Sequence, residues 1–239
     1  MNITTARDVV VVAAHPDDEV IGCGGTIARL ASQGAAVHIV LLADGVESRH
    51  QAGSLIASDP DVRAELDRRR DAARRAGQAL GAANVEFADY PDNRMDTVPL
   101  LDVAQTIEAA LRRYRPDTVL THHSGDVNVD HRRVHDAVVV ACRPQPGHFV
   151  RTLLFFEVAS STEWQPPGSA PAFNPNYFVD VSRHLDSRRR ALQEYAAEMR
   201  PWPHPRSHEA LEYLSKWRGA TAGVDAAEAF IVGRHIERA

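Results

Sequence analysis

His15, Asp17 and Asp18 fall within four residues of one another, directly after four consecutive valines and two alanines in the stretch Val9–Ile27. A histidine and an aspartate three apart across a turn can reach one metal ion, which leaves Asp17 available for a different task. Pro16 restricts His15 to extended backbone, so its imidazole leaves the strand before the chain turns. Two ligands and a further carboxylate in so short a run make a compact hydrolytic site. Turn and helix-capping roles favour aspartate too. Capping accounts for one carboxylate, however, and not for two plus a histidine ahead of a proline.

A second cluster spans Asp126–Ala137, DVNVDHRRVHDA. His131 and His135 are four apart and can share a helix face, while His122 and His123 end the preceding apolar run. Any of the four could complete a three-ligand site with an open position, the arrangement that catalytic zinc uses. His135 taken alone reads as a helix-packing residue. His131 follows Asp130 at a helix start, beyond a strand end, so it can turn back over the sheet edge and is the preferred third ligand.

These residues need a scaffold that brings strand ends together. A β-branched run bounded by polar residues reads as a strand buried on both faces. The polar cluster then lies at its carboxyl end, where open parallel sheets place ligands. Further strands are expected at Val37–Leu42, Val85–Phe87, Thr118–Thr121 and Thr152–Val158, with a late antiparallel edge strand at Tyr177–Val181. Helices are expected at Gly24–Ser32, Val62–Leu80 and Leu100–Tyr114, and over the run from His131. A helix capped by Ser182 should end near Met199, and a last one should cover Glu209–Trp217 before a short tail. Glu47–Pro60 reads as a loop above the sheet, and three prolines keep Pro201–Pro205 irregular. The pattern predicts one domain over residues 1–239. Its fold class is α/β, a Rossmann-like three-layer sandwich with a mostly parallel sheet and a C-terminal cap segment.

The chain has 239 residues, 44% of them hydrophobic, which is enough for a sizeable core. A net charge of −5 gives no global attraction to nucleic acid. The arginine runs Arg68–Arg70 and Arg188–Arg190 read as solvated helix faces. Two cysteines, Cys23 and Cys142, are too few for a disulfide framework and suit reduced thiols in the cytoplasm. There is no signal-peptide pattern, and no apolar stretch approaches the ~20 residues of a membrane span. A soluble cytoplasmic protein is expected. The glycines Gly22, Gly24 and Gly25 offer a rival reading as a nucleotide phosphate loop. Their spacing misses G-x-G-x-x-G, and the acidic run before them would repel a pyrophosphate.

AHPDDE at the end of a first strand, followed by D-x-N-x-D-H-R, resembles the PIG-L/LmbE-like zinc-dependent N-deacetylases. The loop PDNRMD, the stretch FEVASSTEW and the C-terminal HPRS and GVDAAEAF extend the resemblance over nearly the whole chain. It implies hydrolysis of an N-acetyl group on an N-acetylglucosamine-type amino sugar or glycoconjugate. It makes His15, Asp18 and His131 the ligands of Zn2+, with Fe2+ accepted by the same donor types. Asp17 becomes the general base, and Arg68, Asp92 and Asn93 contact the sugar. Many relatives carry a second histidine three residues before the last ligand, stabilising the oxyanion, where this chain has Asn128. His204 in HPRS could supply that imidazole, from the same chain or from a neighbouring subunit of a homo-oligomer. Asp71 also stands where relatives often have Glu. Alternatives are a zinc amidase acting on another N-acyl or thiol-conjugate substrate, a nucleotide-binding Rossmann-like protein, and a catalytically silent sugar-binding relative.

Overall fold

The computed structural model describes residues 3, 6–43, 45 and 60–237. Seven strands form one sheet: β1 (Asp8–Ala13), β2 (Ala36–Ala43), β3 (Asn84–Tyr90), β4 (Thr118–His122), β5 (Thr152–Phe156), β6 (Tyr177–Asp180) and β7 (Ala227–His235). Their order is β3-β2-β1-β4-β5-β7-β6. The first five strands are parallel, and β7 runs antiparallel to both β5 and β6. Strand order reverses between β1 and β4, the crevice where doubly wound sheets bind ligands.

The alternation of β1 decides the layers. Val9, Val11 and Ala13 face one apolar cluster, and Val10, Val12 and Ala14 face the other. The first cluster is covered by α1 (Asp18–Ser32), α2 (Pro60–Leu80), α5 (Leu185–Glu194) and α6 (His208–Ala222). The second is covered by α3 (Leu100–Tyr114) and α4 (Val129–Ala141). Both faces of β1 are therefore dry, which is why four valines suit it. Cys23 and Cys142 are free, buried and on opposite sides of the sheet.

Three expectations need correction. The expected short C-terminal tail carries β7, nine residues inserted between β5 and β6. Helix α1 begins at Asp18 rather than Gly24 and breaks at Cys23, whose φ is −150°. Ser182 does not cap α5; its hydroxyl donates to Asp180, and the helix runs only from Leu185 to Glu194. Of the loop expected over Glu47–Pro60, residues 47–59 lie outside the described residues, and Pro60 opens α2.

The break in α1 is stitched by two buried side chains. Arg188 donates from Nε to the Val20 carbonyl and from Nη2 to that of Ile21. Glu228 of β7 accepts from the amides of Gly25 and Thr26 at 2.8 and 2.7 Å. Those amides are the donors a phosphate would need, so an internal carboxylate already fills the role proposed for a nucleotide. Glu228→Ala should leave the two amides and Arg188 without this partner. A loss of about 3–5 kcal/mol is expected, measurable by urea denaturation; a change within error would show that the stitch is not needed for stability.

Candidate metal and active centre

β1 ends at Ala13, and the following turn delivers His15, Asp17 and Asp18 to the β1/β4 crevice. The start of α4 brings Asp130 and His131 in from the other side. His15, Asp18 and His131 are all buried, and they offer ligand atoms within 4.8 Å of one another. Asp18 Oδ2 lies 3.2 Å from His15 Nδ1 and 3.1 Å from His131 Nε2. Asp18 Oδ1 and His131 Nε2 are buried without an aligned hydrogen bond. Two buried polar atoms without an aligned hydrogen bond, in a cluster of two imidazoles and a carboxylate, fit a divalent cation of the zinc or iron type.

Each imidazole has carboxylates behind it. His131 Nδ1 is 3.1 Å from Asp126 Oδ2, and His15 Nε2 is 3.0 Å from Asp130 and 3.1 Å from Asp92. Such pairings fix the ring and raise its basicity as a ligand. Burial alone would lower the pKa of His131, but the Asp18 charge and the Asp126 bond outweigh it and push it up to about 9. His15 is likewise raised well above its ordinary value, because bonds to Asp130, Asp18 and Asp92 overcome burial. Positive charge is what this cluster stabilises.

Asp17 stands apart from the histidines. Burial raises its pKa, Arg206 draws it down, and Asp18 and Glu198 raise it again, leaving it at about 6. Its φ of 125° is rare for a non-glycine residue. Its amide donates to Glu19 Oε2. Glu19 in turn accepts from the Tyr195 hydroxyl, and burial lifts its own pKa to about 8.

The remaining histidines have other partners. His122 Nε2 accepts from the Ala14 amide, His123 meets the Pro171 carbonyl, and His135 Nδ1 meets the His122 carbonyl. Asp92 joins the cluster through His15, and Asn93 donates its amide to Asp130. Asn128 caps α4, accepting from the Asp130 amide and donating to Asn93 Oδ1. Arg68 is not brought to the cluster. It is exposed and lines a groove of about 410 Å³ between α2 and α5, with Glu65, Arg75 and Glu194. Arg69, one residue on, turns inward onto Glu198 and lowers the pKa of Asp17. His204 lies edge-on to Trp164 and accepts the Arg206 amide on Nδ1.

Sequence reasoning missed Arg206, whose Nη1 donates to Asp17 Oδ2 at 3.0 Å. The stretch HPRS pointed to it, although only its histidine was weighed. Asp126, Asp130 and Ser161 were also missed, and the first two sit inside the motif that located His131.

The family model for PIG-L, described as GlcNAc-PI de-N-acetylase, matches residues 10–142 and so takes in the whole histidine–aspartate cluster. The chain belongs to the PIG-L family. It is 29% identical over 201 residues to the diacetylchitobiose deacetylase of Thermococcus kodakarensis, spanning 80% of this chain and 70% of that protein. It is 30% identical over 216 residues to the 4-oxalmesaconate hydratase of Pseudomonas putida, spanning 84% and 78%. The fold matches that of the N,N'-diacetylchitobiose deacetylase of Pyrococcus horikoshii with a TM-score of 0.75 at 21% identity, over 97% of this chain and 85% of that one. Among the described residues, no helix is long and apolar enough to cross a membrane.

The geometry of this PIG-L cluster brings His131 to Asp18 and His15, the preference that sequence position gave it over His135, whose Nδ1 meets the His122 carbonyl. His131→Ala should strip metal from protein purified without chelator or polyhistidine tag, whereas His135→Ala should retain it. Elemental analysis per chain decides, and the opposite pattern would move the ligand by one helical turn.

Proposed function

We propose that this PIG-L family chain is a metal-dependent hydrolase that removes the N-acetyl group from an N-acetylglucosamine-type amino sugar or glycoconjugate. The observation that carries the reading is the convergence of His15, Asp18 and His131 beside Asp17, whose carboxylate accepts from Arg206. A divalent cation in that cluster supplies Lewis acidity, polarising an amide carbonyl and making water acidic near neutral pH. Zinc suits the donor set, and iron is accommodated by the same ligand types.

Asp17 takes the proton of the attacking water and returns it to the departing amine nitrogen, so that water and amide become acetate and amine. Asn128 and His204 are the proposed donors to the oxyanion. An amide NH2 carries two hydrogens, so the Asn128 bond to Asn93 does not exhaust it. Removing such a donor commonly costs about 10²–10³ in rate. Asp92 and Asn93 are proposed to contact substrate hydroxyls, Asp92 from beside His15 and Asn93 from beside Asn128. Arg68 is suited to a more distant part of the substrate, because the groove that it lines carries both charge signs. Cytoplasmic location is proposed with the same reading, since buried thiols are kept free.

The 30% identity to a hydratase favours a second reading, in which the same water is added to an unsaturated acid. Assaying N-acetylated amino sugars by acetate release, and 4-oxalmesaconate by loss of the absorbance of its conjugated double bond, separates the two. In the hydrolase reading, Asp17→Asn keeps about one metal per chain and loses about 10²–10⁴ in turnover. Undiminished acetate release from that variant would remove Asp17 as the base.

A further inference from the structure

Arg206 lies in the irregular segment between α5 and α6 and is held on three sides. Its Nη1 donates to Asp17 Oδ2 at 3.0 Å, and its Nε donates to Ser160 Oγ at 2.6 Å. Its own amide donates to His204 Nδ1 at 3.0 Å, and the His204 ring meets Trp164 edge-on at 5.7 Å. Ser160 is anchored as well. Its amide donates to Glu163, and the next two residues, Ser161 and Thr162, donate their hydroxyls to Asp126, the carboxylate paired with His131. The guanidinium therefore spans from Asp17 to the segment that braces His131.

Asp17 itself needs bracing. A φ of 125° places its backbone where side-chain-bearing residues rarely sit, and such geometry persists only when the surroundings over-determine it. Glu19 holds the Asp17 amide, and Arg206 holds one carboxylate oxygen. We propose that Arg206 is the positioning residue for Asp17, gripping Oδ2 so that the other oxygen is presented to the attacking water. This rests on the hydrolase reading above, with Asp17 as base. Beside its proposed role at the oxyanion, His204 accepts the Arg206 amide on Nδ1 and so fixes the backbone from which the guanidinium reaches.

The grip needs a planar cation that serves two acceptors at once. Arginine offers that fork, whereas lysine offers a single ammonium on a flexible stem. The Arg206 side chain is 24% exposed and Asp17 is buried, so the pair also couples measurably in stability. Its value to the reaction is geometric. A misplacement of about 1 Å in a reacting group can cost about 10² in rate.

The test is a double-mutant cycle on the metal-loaded protein with Arg206→Gln, Asp17→Asn and the double variant, and Arg206→Lys beside them. Arg206→Gln should lower kcat by about 10–10², with KM within about twofold and metal content unchanged. Arg206→Lys should recover little of that loss. In the Asp17→Asn background, Arg206→Gln should cost nothing further, because the group it positions is already gone. Multiplicative losses in the double variant would show that Arg206 acts on substrate independently, and lost metal would show a structural role; either overturns the proposal. The wild type, Arg206→Gln, Asp17→Asn and the double variant, compared by thermal unfolding midpoint, give a readout free of substrate. Non-additive shifts are expected, and additive ones would mean that Arg206 does not grip Asp17. A wild-type protein inactive on every amino sugar strikes the hydrolase reading, while the thermal cycle still judges the grip.

Discussion

Helix α1 breaks at Cys23 inside a dry interior, and that break sets demands on distant parts of the chain. A helix that ends leaves carbonyls without partners, and one that starts leaves amides without partners. Here both ends meet within a few residues, with Phe156 packed so close to Gly22 that no side chain fits there. Arg188 of α5 takes the carbonyls of Val20 and Ile21, Glu228 of β7 takes the amides of Gly25 and Thr26, and the two charges face each other at 3.5 Å. The first turn of α1 is thereby aimed separately from the rest of the helix. That turn carries Asp18 and follows Asp17, so the C-terminal strand and α5 fix the site from residues far away in sequence.

Two adjacent aspartates are pushed in opposite directions by this arrangement. Burial acts to raise both. His131 and His15 outweigh burial at Asp18 and hold its pKa well below the usual carboxylate range. At Asp17, Arg206 offsets burial only in part, and Asp18 and Glu198 add to the rise. Neighbouring carboxyl groups whose environments separate them are suited to different tasks. The division supports Asp18 on the cation and Asp17 on the proton, with histidines serving one and arginine the other.

The legible parts of the fold were those specified by local pattern. The valine run of β1 and the apolar spacing of α3 each announce their element, and α3 spans Leu100–Tyr114 as its periodicity predicts. β7 was hidden because AEAFIVGRH follows a turn-forming GVD near the chain end, and strand character depends on partners that local sequence does not show. The start of α1 was hidden by its glycines, whose low helix propensity masks a turn held by tertiary bonds. At the site, His15, Asp17, Asp18 and His131 were legible because each lies within a few residues of a strand end or helix start. Arg68 and Arg69 were not separable. Successive helical residues point about 100° apart, and packing of Ala72, Ala73 and Ala76 on the sheet decides which guanidinium turns inward.

Asp130 shows why the outer layer of the site could not be read residue by residue. Its carboxylate accepts from the amides of Asn93 and Met95 at 2.6 and 3.0 Å and also holds His15 Nε2. Asn128 caps the same helix and reaches the Asn93 side chain, so the loop after β3 is tied to α4 at several points. That loop carries Asp92, which bonds the same face of His15. The imidazole proposed as a metal ligand, a helix start and the loop proposed to contact substrate thus share one carboxylate. Moving the loop to admit a different substrate would disturb the orientation of His15. The groove between α2 and α5 is lined by none of these residues, so a change of side chain there leaves the tie between His15, Asp130 and the loop in place.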